Sequence, residues 1–296
     1  ANNPFLEASF GEQYFVSLLF RDISYSRTGR SNFRGQSVNF SGNFEIAGWE
    51  LFGLNELVNA VSGDEKVFRP TASSEFAHYV RLRLDTRFNQ KYSELTSFAS
   101  RFVFGIARPF GNTEAVPYVK QFSVGGANSM RAWSPRGLGP GGYLDSLSLI
   151  RSGSNRRLLY QTGDLMMELN LEYRYKLYSF FRGALFLDIG NIWALSDSND
   201  ERPGSEFRLT STEYEVDEKR FYHQPFYRQI AIGAGTGLRV DLSYFIFRVD
   251  VSLPLRYNYP RERPDDMAPP ERLYWNNFSD FKFNSLTWQL GLGYPF

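Results

Sequence analysis

Apolar and polar residues alternate with a period of two along most of this chain, the spacing of a β-strand whose two faces meet different surroundings. The sharpest run is 163–176, where Leu165, Met167, Leu169, Leu171, Tyr173 and Tyr175 lie opposite Met166, Glu168, Asn170, Glu172, Arg174 and Lys176. In 76–88, Val80, Leu82, Leu84 and Phe88 oppose Arg81, Arg83, Asp85 and Arg87. In 245–257, Phe247, Val249, Val251, Leu253 and Leu255 oppose Arg248, Asp250, Ser252 and Arg256. Further strands are predicted at 12–25 (Tyr14, Val16, Leu18 and Phe20 on one face), 32–48, 96–107, 183–193 and 229–241. The last is SLTWQLGLGYPF, with Leu286, Trp288, Leu290, Leu292, Tyr294 and Phe296 on one face. The segment from Trp49 to Glu75 reads as longer and irregular, and long connections also cover 108–162, 194–228 and 258–284. Short turns therefore alternate with long loops through nine strands. A charged face on so many strands, with every second loop lengthened, predicts an all-β fold, a transmembrane antiparallel β-barrel.

Composition sharpens this. Of 296 residues 17% are aromatic, including 28 Phe and 18 Tyr, while mean hydropathy is −0.38. A barrel with lipid on one side and water on the other predicts that pairing of aromatic richness with overall polarity. No apolar run is long enough for a transmembrane helix, and Ala1–Phe10 has neither the basic nor the apolar region of a signal peptide. A formal net charge of +1 provides no electrostatic footprint for nucleic acid. With no cysteine in the chain, disulfides, thiol catalysis and Cys-containing zinc sites are excluded.

The loop at about 108–162 is far longer than a connection requires. Its stretch Phe122–Tyr143, FSVGGANSMRAWSPRGLGPGGY, is rich in glycine yet carries Phe122, Met130, Trp133 and Tyr143 with Arg131 and Arg136. A mobile surface linker would be more polar, so the loop is expected to tuck against the barrel with an arginine in need of a partner. Strand parity turns Glu172 and Asp188 inward on neighbouring strands. They have two possible partners: Arg131 of the loop, or inward arginines such as Arg174 and Arg239. A complete single-chain bacterial barrel has an even number of strands, and a small one fills its interior with side chains. Nine strands and a tucked loop together point to the C-terminal part of a larger barrel.

Several motifs resemble one family. Val124–Trp133, VGGANSMRAW, resembles the loop-six signature of the BamA/TamA outer-membrane assembly superfamily, with Gly125, Gly126, Met130 and Trp133 around Arg131. The family usually has glycine after that arginine, where this chain has Ala132. Asn170–Arg174 (NLEYR) and Phe186–Trp193 (FLDIGNIW) resemble the following two strands, and the terminal strand through Trp288, Leu290, Tyr294 and Phe296 is similar to the β-signal of outer-membrane proteins. The resemblance implies a barrel of about sixteen strands, of which residues 1–296 supply the last nine. The preceding strands and the periplasmic POTRA domains would lie outside this chain. It also implies a loop arginine, Arg131, locked to Glu172 and Asp188, a bacterial outer-membrane location, and partners comprising the lipid bilayer, unfolded outer-membrane clients and accessory lipoproteins or periplasmic chaperones. In such a family the seam between first and last strands is weak, and Pro295 near the terminus removes a ladder donor. The function implied is insertion of β-barrel proteins into the outer membrane. A polypeptide-secretion pore of the same superfamily and a passive porin-like or surface-binding barrel are the alternatives.

No catalytic pattern is present: the two histidines, His78 and His223, are far apart, and no nucleophile elbow or P-loop occurs. Gly137–Gly142 formally matches a dinucleotide fingerprint, but no helix pattern follows it. No cofactor, metal or nucleotide is expected. The inner face of 229–241 carries Gly233, Gly235 and Gly237, read as a strand thinned for the loop in preference to a surface for a passing client.

Overall fold

The computed structural model describes residues 13–14, 22–63, 75–111, 113–143, 161–195, 202, 204–216, 219–242, 244–260, 269–278 and 283–296. Its main element is one antiparallel sheet of nine strands. These are β1 (Asp22–Thr28), β2 (Gln36–Ala47), β3 (Tyr79–Lys91), β4 (Thr96–Pro109), β5 (Leu165–Tyr178), β6 (Phe181–Trp193), β7 (Ala231–Asp241), β8 (Ile246–Arg256) and β9 (Thr287–Leu292). Each strand pairs with its neighbour in the chain, so the order is a simple meander whose outer strands are β1 and β9. β1–β2, β3–β4, β5–β6 and β7–β8 are joined by short turns at one end, and the long connections gather at the other. That asymmetry is the layout of a membrane barrel.

Alternation does what the sequence predicts. In β5 the inward Glu168, Asn170 and Glu172 are buried while Tyr173 on the other face is exposed. In β6, Asp188 is buried and Leu185 exposed. A polar concave face and an apolar convex face are what lipid outside and water or packed polar groups inside would select.

Three assignments change. Tyr14 belongs to a two-residue parallel pair, Gln13–Tyr14 with Glu75–Phe76. Val16, Leu18 and Phe20, expected to line the first strand, lie outside the described residues. The expected irregular segment after β2 contains helix α1 (Trp49–Ser62), framed by left-handed Gly48 and Gly63, the latter donating its N–H to the Asn59 carbonyl. Its apolar residues repeat at three and four, a spacing that a search for alternation passes over. Phe52 packs edge-on against His78 and Phe110, with centroids at 6.0 and 5.8 Å. By strand parity both partners lie on the convex side of β3 and β4. In the stretch between β6 and β7, Thr212–Val216 and Lys219–His223 form a separate hairpin.

Candidate functional site

The long loop leaves β4 at Pro109, enters β5 at Leu165 and folds into the concave face of the sheet. Phe122 exchanges backbone hydrogen bonds with Gly163 at 2.8 and 2.9 Å, fastening its base. Val116, Phe122, Val124, Met130, Ala132, Trp133 and Leu138 then form one buried cluster with Val103, Ala107, Met166, Ile192 and Ala231 of the wall. The aromatic and apolar residues that looked out of place in a loop are its own core. Gly125 and Gly126 have φ of 111° and 90°. A side chain at Gly125 would strike the Ser134 carbonyl, so the turn requires glycine there.

Arg131 sits at the tip, fully buried. Its Nε and Nη2 donate to Asp188 Oδ2 and Oδ1 at 2.9 and 2.8 Å, a bidentate grip, and its backbone N–H donates to Oδ2 at 3.0 Å. Nη1 donates to Glu172 Oε2 at 2.5 Å. The guanidinium carbon stands 3.5 Å from the Phe186 ring centre, so the cation also meets a π face. Burial alone would lower the Arg131 pKa; Asp188, Glu172 and Asp250 outweigh it and raise it. Bidentate, charge-assisted bonds are the strong kind, and both carboxylates are sealed from solvent.

The alternative partners of Glu172 are engaged as well. Arg174 Nε donates to its Oε1 at 2.7 Å and Arg239 Nη2 to its Oε2 at 3.0 Å. Arg239 Nη1 continues to Asp250 Oδ1 at 2.5 Å, and Arg248 Nε lies 3.3 Å from Asp250 Oδ2. Asn170 bridges the system, its amide donating to Asp188 Oδ1 at 3.0 Å and the Ser129 carbonyl at 3.2 Å. Loop lock and strand-to-strand pairing are therefore parts of one buried network. Each carboxylate that converges here is committed to guanidinium groups, and among the described residues no cluster of His, Cys, Asp or Glu is arranged to hold a metal.

The loop backbone is also held by the last two strands. Ser252 Oγ donates to the Arg131 carbonyl at 2.8 Å, Thr287 Oγ1 to that of Ala132 at 3.1 Å, and Gln289 Nε2 to that of Trp133 at 3.1 Å. Arg248 Nη2 donates to the Ala127 carbonyl at 2.9 Å and, from β4, Arg101 Nη1 to that of Asn128 at 2.9 Å. Ser129 Oγ donates to Glu168 Oε2 at 2.8 Å. The tip is thus strapped across the inner face from β4 to β9. Sequence reasoning passed over Asp250, Ser252, Thr287 and Gln289; inward parity was their only signal.

Ala132, which departs from the resembled motif, has no positive φ, so alanine is compatible with this tip. A Cβ on Gly233 would lie 2.6 Å from the Ala132 Cβ and 3.0 Å from the Trp133 ring, so this glycine makes room for the loop. The other two expected to do so serve different neighbours. Gly235 accommodates the Phe186 ring, and Gly237 accommodates the Arg239–Asp250 pair.

At the terminus, Trp288 and Leu290 point outward and are well exposed. Tyr294 and Phe296, expected on that same face, do not continue it. Gly293 adopts φ of 76°, β9 ends at Leu292, and the last residues turn to the inner wall. There the Arg174 guanidinium stands 4.2 Å from the Tyr294 ring centre and 5.6 Å from that of Phe296, and its Nη2 donates to the Phe296 carbonyl at 3.1 Å. A left-handed glycine breaks the period of two, which parity cannot anticipate.

Among solved structures, the chain is similar to BamA from Haemophilus ducreyi lacking POTRA domains 1–3, with 15% identity and a TM-score of 0.48. The match covers 79% of this chain and 38% of that one, so the chain spans well under half of that protein. No curated protein matches it in sequence. The sequence profile of the Omp85 superfamily domain matches residues 13–296, and with that near-complete span the chain belongs to the Omp85 superfamily of bacterial outer-membrane β-barrels.

Proposed function

We propose that this chain is the C-terminal, seam-bearing part of an outer-membrane barrel that inserts client β-barrel proteins, with Arg131, Glu172 and Asp188 fixing the loop that supports the seam. The observation that carries this reading is the grip of Ser252, Thr287 and Gln289 on three successive carbonyls of the loop tip. Among the described residues β9 is an outer strand of the sheet, paired with β8 from Phe247↔Leu292 to Ser252↔Thr287, so its other edge faces the position of the seam in a complete barrel. Its other edge is suited to template a client strand by β-augmentation. Side-chain contacts to the loop hold β9 in place without occupying that edge. Arg131, bonded to β5 and β6, anchors the loop end of the strap. The work is done by strand pairing and lipid, and no bond chemistry is called for. Clients would arrive as unfolded outer-membrane proteins, delivered by periplasmic chaperones or accessory lipoproteins.

The test is a reversible pin. Cysteines at Ala132 and Thr287 would form a disulfide in a chain with no native thiol. In vesicles holding the full-length protein, the oxidised form is expected to stop folding denatured clients and the reduced form to resume. Client folding at the unpinned rate in the oxidised form would defeat the proposal. Strong ion conductance that the pin abolishes, without client folding, would instead favour a secretion pore.

A further inference from the structure

Helix α1 turns an apolar stripe outward. Leu54, Leu57, Val58 and Val61 recur at i, i+3, i+4 and i+7, the stripe that a helix of a globular domain turns toward its core. Here they are 60, 66, 54 and 83% exposed. The half-buried positions are Glu50, Leu51, Phe52, Asn55 and Asn59, and no residue of the helix is fully buried.

Its attachment places it. Phe52 is held by His78 and Phe110, stacked on each other at 5.7 Å on the convex side of β3 and β4. Val80, Leu82, Phe102 and Phe104 share that face, the one that meets lipid in an outer-membrane barrel. The helix begins just after β2, at the long-loop end of the wall. Trp49 marks the junction, 37% exposed, where aromatic residues gather at the border between hydrocarbon and headgroups. The exposed stripe is thus a continuation of the lipid-facing surface beyond the end of the strands.

Charge narrows the occupant. The helix sequence WELFGLNELVNAVS contains Glu50 and Glu56 and no Lys or Arg, so it has no cationic attraction for an anionic headgroup or an acidic partner. What it offers is apolar area at membrane height. We infer that α1 lies in the interface of the outer leaflet, with Leu54, Leu57, Val58 and Val61 seated at the boundary of the acyl chains. This inference depends on the membrane location of the barrel and is independent of the insertion activity proposed above.

Site-specific fluorescence tests it, since the chain lacks cysteine. Single cysteines replacing Leu57, Val61 or, as the control on another side of the helix, Glu56 would carry an environment-sensitive NBD dye. The full-length protein would be reconstituted in neutral phosphatidylcholine vesicles, with unchanged heat-modifiable gel mobility as the folding check. The expected result is blue-shifted emission at 57 and 61, with quenching by acyl-chain nitroxides several-fold stronger than at 56 and unchanged by added salt. Water-like emission with quenching by aqueous iodide at 57 and 61 would overturn the inference. So would labels exposed in these vesicles and in vesicles of extracted outer-membrane lipid but shielded in native outer membranes, which would identify the occupant as a protein.

Discussion

Removing the loop cation should expose one carboxylate far more than the other. Replacing Arg131 by methionine keeps a long apolar side chain and deletes four hydrogen bonds less the backbone one, those from Nε, Nη1 and Nη2. Glu172 keeps Arg174 at 2.7 Å and Arg239 at 3.0 Å and stays compensated. Asp188 loses its bidentate guanidinium and keeps the Asn170 amide at 3.0 Å and the residue-131 backbone N–H. Breaking a buried pair in this way costs roughly 3–5 kcal/mol, chiefly the penalty of a stranded charge. At about 1.4 kcal/mol per decade, protection of the loop-tip amides against hydrogen exchange should fall by roughly two to three and a half orders of magnitude. The amides to follow are those of Gly126 and Trp133, which donate to the Trp133 and Met130 carbonyls. The decisive comparison is between second substitutions. Asp188→Asn in the Arg131→Met background should recover most of the protection, because it removes the stranded charge. Glu172→Gln should recover none, because it strips Arg174 and Arg239 of their shared partner. Exchange mass spectrometry on the reconstituted full-length chain reads all three variants. Equal rescue by both, or undiminished protection in Arg131→Met, would refute the assignment of the uncompensated charge.

Other expectations follow from single contacts. Gly233→Ala places a methyl against Ala132 and Trp133 and should destabilise the docked loop by about 1–3 kcal/mol; Ala132→Gly should restore it, as a double-mutant cycle on exchange protection would show. Arg174→Met should free Tyr294 and Phe296 from the wall, so that a nitroxide label at residue 296 gains mobility while the melting temperature of the barrel changes little. Ser179 holds φ of 46° in the short β5–β6 turn, and Ser179→Gly should relieve that strain and raise stability by up to ~1 kcal/mol, seen in the temperature at which gel mobility shifts.

The strands were legible because charge and hydrocarbon alternate at a period that only a two-faced sheet explains. Glu172 and Asp188 were legible for the same reason, since parity fixes which face a residue takes. Parity does not fix the position around the interior, so it could not say that Asp250 joins the same network or that Arg174 and Arg131 share Glu172. Ser252, Thr287 and Gln289 show inward parity in the sequence and nothing more: a neutral inward side chain becomes a loop clamp only once the loop passes it. Helix α1 was missed because its repeat is three and four, and Tyr294 and Phe296 were misplaced because one glycine at positive φ reversed their face.

Glu172 has a consequence as a junction. A carboxylate offers about four acceptor positions, and this one serves three cations: Arg131 of the loop tip, Arg239 of β7, and Arg174 of its own strand, which also holds residues 294 and 296. The loop tip and Phe296 are therefore linked through Glu172 and Arg174, although 122 positions of sequence lie between Arg174 and Phe296. Arg174 takes Oε1 of this carboxylate while Arg131 and Arg239 share Oε2, so both oxygens are committed. Glu172 thus ties three otherwise separate contacts, at the loop tip, beside residues 294–296 and on β7, into one buried charge cluster.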